Sequence, residues 1–76
     1  MERLLEILSN MHPDVDFEKQ DNLVRGGILD SFDIVTLVTE ITEEFEVTIR
    51  AKDLVPENFD SAKTIYALIQ KLEEEE

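Results

Sequence analysis

The chain has 76 residues, with 19 acidic and 7 basic side chains and a formal net charge of -12. A chain of this length buries one modest core, so we expect residues 1–76 to form a single domain. The charge excludes nucleic acid as a partner and disfavours an anionic membrane, and no apolar run approaches the roughly 20 residues of a membrane-spanning helix. Partners should instead carry basic patches.

The amino-terminal sequence and the absence of cysteine indicate the cellular compartment and the chemistry that is available to the protein. The first ten residues, MERLLEILSN, have no basic leader followed by an apolar centre and a cleavage site, so we expect a cytoplasmic protein without membrane insertion. The absence of cysteine excludes a disulfide, a thiolate nucleophile and a zinc-thiolate site.

The first predicted element is an amphipathic helix over about residues 2–12, which Pro13 ends. Residues 13–30 show no period but are too apolar for a free linker, so this loop should pack along the domain, with a turn at Gly26 and Gly27. The apolar residues of the helix are Leu4, Leu5, Leu8 and Met11, and those of the loop are Val15, Phe17, Leu23, Val24, Ile28 and Leu29.

The second predicted helix runs over about residues 31–46. Asp30 or Ser31 caps it, and Asp33 lies in its first turn, where the helix dipole favours a negative charge. On a helical wheel the apolar arc is centred on Ile34, Ile41 and Phe45, with Leu37 and Val38 at its flanks.

Two shorter predictions follow along the chain. Residues 51–55 can make about one helical turn before Pro56, and the last helix begins after a cap at Asp60 or Ser61. Residues 73–76, all glutamate, should form a frayed, solvated tail. The buried face of the last helix contains Ala62, Ile65, Tyr66 and Ile69. The sequence therefore predicts an all-α fold, a small bundle of three longer helices and one short one.

Phe32 falls nearly opposite the apolar arc of the second helix. Either it folds back under the preceding loop as a staple for the helix start, or it is a docking contact, since an aromatic anchor among acids suits a transient, electrostatically steered interface. Its stripe continues through Thr36, Thr39 and Glu43, and Asp33, Glu40 and Glu44 form a second stripe beside it.

The sequence gives little support for a catalytic site or a metal site. The acids of residues 14–18 alternate like the start of a calcium loop, but Lys19 stands where that loop needs glycine and Arg25 where it needs a bidentate acid. The single imidazole, His12, is expected to cap a helix end or to be exposed, with no charge-relay set around it. We expect no metal and no enzyme. Ser31 differs, because a phosphate ester at a helix start is stabilised by free N–H groups and the dipole.

Residues 29–49, LDSFDIVTLVTEITEEFEVTI, resemble the phosphopantetheine attachment region of acyl carrier proteins, which has Asp-Ser-Leu-Asp and then a helix ending in Glu-Glu-Phe. The likeness extends more loosely over the whole chain and implies a four-helix carrier. It implies that Ser31 receives 4'-phosphopantetheine from coenzyme A through a separate magnesium-dependent phosphopantetheinyl transferase, and that the arm carries acyl or aminoacyl groups as thioesters.

The resemblance also implies how partners are met. Loading ligases and downstream transferases or synthases with basic surfaces would recognise Asp30 and Asp33, with Phe32 as the apolar contact. Apart from the resemblance, we expect the protein to be a monomer that binds its partners briefly. Val35, Leu37, Ile41, Phe45, Ile65 and Ile69 would supply the core and part of a cleft for an acyl chain.

Some residues distinguish types of carrier. Phe32 replaces the leucine that usually follows the serine in these carriers. Thr36, Thr39 and Thr42 lie where carriers of fatty-acid synthesis present two acids and a methionine. GILDS (residues 27–31) is more similar to carriers of D-alanine and other aminoacyl groups, and ENFDS (residues 57–61) is also unlike the fatty-acid type. The pathway stays open between fatty-acid, polyketide and aminoacyl chemistry.

A competing hypothesis needs no modification. In it, the protein is an acidic interaction module in which Ser31 only caps the helix and Phe32 anchors a basic partner. Its association would be sensitive to salt and indifferent to coenzyme A.

Overall fold

The fold consists of four α-helices, and residues 2–75, which the computed structural model describes, contain no β-strand. The predicted all-α bundle is confirmed, and the first two helices end within one residue of their predicted limits. The helices are α1 (Glu2–Met11), α2 (Ser31–Phe45), α3 (Pro56–Phe59) and α4 (Ala62–Glu75), with a 3₁₀ turn at Ala51–Asp53.

One hydrophobic core joins the three long helices. Leu8 of α1, Leu37 and Ile41 of α2, and Ile65 and Ile69 of α4 are all fully buried. Burying a side chain of this size contributes about 1.5–3 kcal/mol, so these residues contribute substantially to the stability of the fold.

The prediction that Val35 belongs to the core is wrong, because its side chain is 65% exposed. At about 100° per residue, Val35 lies about 100° around α2 from Ile34 and outside the apolar arc that faces the core, so its side chain remains on the surface.

The long loop between α1 and α2 packs on the core as predicted, with Phe17, Leu23 and Leu29 buried. It is tied to the start of α4. The Leu23 N–H donates to the Asp60 carbonyl oxygen at 2.8 Å, and Arg25 Nε lies 3.1 Å from Asp60 Oδ2. Asp60 therefore anchors the loop instead of capping α4.

The region after α2 differs from the prediction. Glu46 ends α2 in a left-handed conformation with φ of 55°. The predicted turn before Pro56 is a 3₁₀ turn, and a further α-helix then begins at Pro56. Proline is well suited to a first helical position, where its missing N–H needs no partner and its φ is already helical. Pro56 thus starts α3, although the sequence pattern treats it as an end.

The last helix begins after Ser61, whose Oγ accepts a hydrogen bond from the Thr64 N–H at 3.1 Å. This resolves the choice between Asp60 and Ser61 in favour of the serine. The predicted frayed tail is wrong in part: residues 73–75 are exposed but belong to α4, and Glu76 lies outside the described residues. Among residues 2–75, none of the helices combines the length and the apolar character that crossing a bilayer requires.

Candidate functional site

Asp30 is the residue that caps α2. Its backbone is extended, with φ of −97° and ψ of −174°, and its Oδ1 accepts a hydrogen bond from the Asp33 N–H at 2.9 Å. In return, Asp33 Oδ2 accepts one from the Asp30 N–H at 3.2 Å. This reciprocal capping box satisfies two backbone donors and fixes the first turn. Of the two possible caps, the structure therefore uses Asp30.

Ser31 is the first residue within α2 and is exposed. Because Asp30 performs the capping, the Ser31 hydroxyl makes no hydrogen bond to another described residue. The N–H groups at a helix start lack acceptors within the helix, and the positive end of the dipole lies there, so a phosphate ester at this position would be stabilised. The hydroxyl is accessible and unengaged, as an acceptor of a phosphoryl group has to be.

The Asp33 carboxylate is held by α1 as well as by the cap. His12 Nε2 lies 2.9 Å from Asp33 Oδ2, and both side chains are largely covered. Burial acts to raise the pKa of Asp33, but the hydrogen bonds from His12 and from the Asp30 N–H outweigh it, so the pKa is lowered below its usual value. The expectation that His12 is merely exposed or caps its own helix is replaced by this contact.

The second acidic stripe of α2 faces α1. Glu44 is ion-paired with Arg3, which also contacts Glu6 at 2.9 Å. Glu40 and Glu43 are exposed and line, with Glu44, a polar groove of about 270 Å³ between the two helices. Asp33 and Glu44 are thus engaged within the fold, at the two ends of this stripe.

The outward face of α2 is apolar and hydroxyl-bearing. Phe32 is 85% exposed, which excludes its role as a staple under the loop, and Val35 lies one turn further along. Thr36 and Thr39 are exposed on the same side, and the Thr39 hydroxyl donates to the Val35 carbonyl oxygen at 3.0 Å. We call Phe32, Val35, Thr36, Thr39 and Glu43 the front face. Val35 is the member that sequence reasoning missed.

A small apolar recess lies one turn from Ser31. Its volume is about 120 Å³, well below the roughly 300–1,000 Å³ of typical ligand pockets. Ile34, three residues after Ser31, forms part of its wall. The other lining residues are Val24, Leu54, Val55, Pro56 and Phe59. Leu37, Ile41, Ile65 and Ile69 are buried in the core, as predicted, and none of them lines this recess, so their predicted part in a cleft is not seen here.

Within residues 2–75, no three His, Cys, Asp or Glu side chains converge in a way that could hold a metal ion. The alternating acids Asp14, Asp16 and Glu18 all point to solvent and bind no common centre. Asp16 instead accepts the Glu18 N–H at 3.2 Å, as expected of an ordinary turn.

Comparison with known families gives the class of the protein. The family model for the phosphopantetheine attachment site matches residues 2–72. The chain therefore belongs to this family, that of the acyl carrier proteins. Comparisons with curated proteins and with solved structures gave no match.

The family supplies the prosthetic group and the general role. Its members are carriers that bear 4'-phosphopantetheine, are not themselves catalytic, and interact with phosphopantetheinyl transferases and acyl-handling enzymes. The start of α2 fits the group, because the exposed Ser31 hydroxyl, which bonds to no other residue among 2–75, lies beside the free N–H groups of a helix that Asp30 already caps.

Proposed function

We propose that this protein is a discrete, non-catalytic, monomeric carrier whose residues 1–76 form one domain and whose arm is attached to Ser31. The observation that supports this most strongly is the position of Ser31: it is the first residue of α2, is exposed, and has a hydroxyl that no described residue engages. Because coenzyme A and the transferase must reach this hydroxyl, we also propose that the protein works in the cytoplasm.

The attachment reaction requires little of the chain itself. Ser31 Oγ forms a bond to the β-phosphorus of coenzyme A, the bond from that phosphorus to the bridging oxygen breaks, and 3',5'-ADP leaves. The hydroxyl proton passes to a base of the transferase, since no side chain among the described residues contacts the Ser31 hydroxyl. Once attached, the arm supplies a terminal thiol that carries cargo as a thioester.

The front face is the proposed contact surface for partner enzymes. Exposed aromatic side chains at the centre of an interface often account for much of its binding energy, and Phe32 is next to Ser31. The acids contribute in a different way, by steering basic partners toward α2. Those acids are Asp30, Asp33, Glu40, Glu43 and Glu44.

We propose an aminoacyl or short acyl cargo. The recess near Ser31 has a volume of about 120 Å³, which is small for the chain of a long fatty acid. The threonines at positions 36 and 39 of the front face and the GILDS stretch before α2 agree with the aminoacyl type. Loading ligases of that chemistry are the proposed partners beside the transferase. The mass of the species on the arm, measured on protein isolated from its own cell, identifies the cargo.

The test of carriage is the intact mass of the protein after incubation with coenzyme A, Mg²⁺ and a broad-specificity transferase. We expect the addition of one phosphopantetheine and no more, because one serine lies at the start of α2. A known carrier serves as the positive control. If the control is modified and this protein is not, the proposal fails.

Replacing Phe32 with alanine should weaken docking without loss of stability. We expect the KM for this protein as the transferase substrate to rise about tenfold or more, since an exposed aromatic anchor is lost while no core contact is removed. Gln70→Ala is the control, because Gln70 is exposed on α4 and belongs neither to the front face nor to the recess near Ser31. Equal effects of the two changes, or none from Phe32→Ala, would contradict the assignment of the front face.

A further inference from the structure

The contact between His12 and Asp33 joins two helix ends beside Ser31. His12 immediately follows α1, and its N–H still donates to the Leu8 carbonyl oxygen at 3.0 Å, so its backbone is held by the helix. Its ring packs against Phe17 of the long loop, with centroids 6.5 Å apart and an interplanar angle of 51°. The backbone of His12 is therefore held by α1, and its ring is held by Phe17, in addition to the contact of the ring with α2.

Asp33 Oδ2 connects this imidazole to the capping box. The same oxygen accepts from His12 Nε2 at 2.9 Å and from the Asp30 N–H at 3.2 Å. Asp30 in turn accepts the Asp33 N–H at 2.9 Å. Ser31 lies between these two aspartates in the chain, and its own side chain has no such restraint. The orientation of its backbone thus depends on the bonds of its neighbours.

We propose that His12 is a positioning residue for the modification of Ser31, holding the first turn of α2 against the end of α1 through Asp33. This inference rests on the proposed function. A nucleophile has to be held close to its reacting orientation, and a displacement of about 1 Å can cost on the order of a hundredfold in rate. Among the described residues, the His12 side chain bonds to Asp33 and not to the Ser31 hydroxyl, so it acts through the capping box.

Two substitutions of His12 separate positioning from simple packing. His12→Leu removes the donor, and we expect kcat for transfer to Ser31 to fall about tenfold, with KM changed less. His12→Gln keeps an N–H donor near the position of Nε2 and should restore kcat to within about twofold. Asn10→Leu, a change on the exposed side of the same helix end, should leave kcat unchanged. Equal rates for the leucine and glutamine variants would overturn the proposal.

Hydrogen exchange tests the inference without the transferase. The Asp33 amide, which donates to Asp30 in the capping box, should exchange about tenfold faster in His12→Leu than in His12→Gln. An unchanged exchange rate would contradict the inference even if Ser31 is modified normally. If Ser31 of the natural protein is never modified, the proposed function fails, and the exchange result still reports on the His12 contact.

Discussion

Replacing Ser31 with alanine should abolish the addition of phosphopantetheine while leaving the fold intact. Asp30 caps α2 and the Ser31 hydroxyl bonds to no other described residue, so alanine at the first helical position removes no stabilising contact. Alanine also has the highest intrinsic helix propensity. The intact mass after incubation with coenzyme A and transferase should show no gain, and the helical circular dichroism should match that of the natural protein.

Ser9→Ala is the matched control for this change, because Ser9 is an exposed serine on α1 and far from the family motif in sequence. It should be modified at the natural rate. A mass gain that persists in Ser31→Ala, or a gain lost in both variants, would contradict attachment at Ser31.

Replacing Phe59 with alanine should remove a large part of the stability of the fold. Phe59 is 1% exposed and lies on α3, a helix of four residues. A helix this short is stabilised by packing and hardly by its own hydrogen bonds. Truncating a buried phenylalanine costs about 3–5 kcal/mol, against a total of roughly 5–15 kcal/mol for a small domain. Urea denaturation followed by circular dichroism should give a much lower midpoint.

Phe32→Ala removes the same atoms from the surface and is the matched control. Because Phe32 is 85% exposed, its loss should change the free energy of unfolding by about 0.5 kcal/mol or less. The two substitutions should thus have different effects: Phe59→Ala should lower stability, and Phe32→Ala should weaken docking. Similar losses of stability in both variants would contradict the described packing of α3 or the exposure of Phe32.

The helical spacing of apolar residues in the sequence predicted the three long helices and most of their buried faces. The spacing of apolar residues in α1, α2 and α4 indicates which faces are buried, and the wheel that placed Phe32 opposite the core agrees with its exposure. The wrong core assignment of Val35 came from the resemblance to acyl carrier proteins and not from the wheel. On the wheel Val35 lies about 100° from Ile34 and outside the apolar arc, which agrees with its exposure.

The contacts at the start of α2 were harder to predict. Asp30 and Asp33 have the spacing of a capping box, and this local signal could have chosen Asp30 over Ser31 as the cap. The contact of His12 with Asp33 spans 21 residues and arises only when the end of α1 meets the start of α2. No local pattern encodes that meeting, so the structure was needed to find it.

Peptide mapping after the transferase reaction is the most direct test of attachment at Ser31. Cleavage after Arg25 and Arg50 releases residues 26–50, in which Ser31 is the single serine, whereas Ser9 and Ser61 fall in other peptides. We predict that the phosphopantetheine mass is found on this peptide alone and that fragment ions place it at Ser31. The same mass on a peptide containing Ser9 or Ser61, or on a threonine of residues 26–50, would contradict the account.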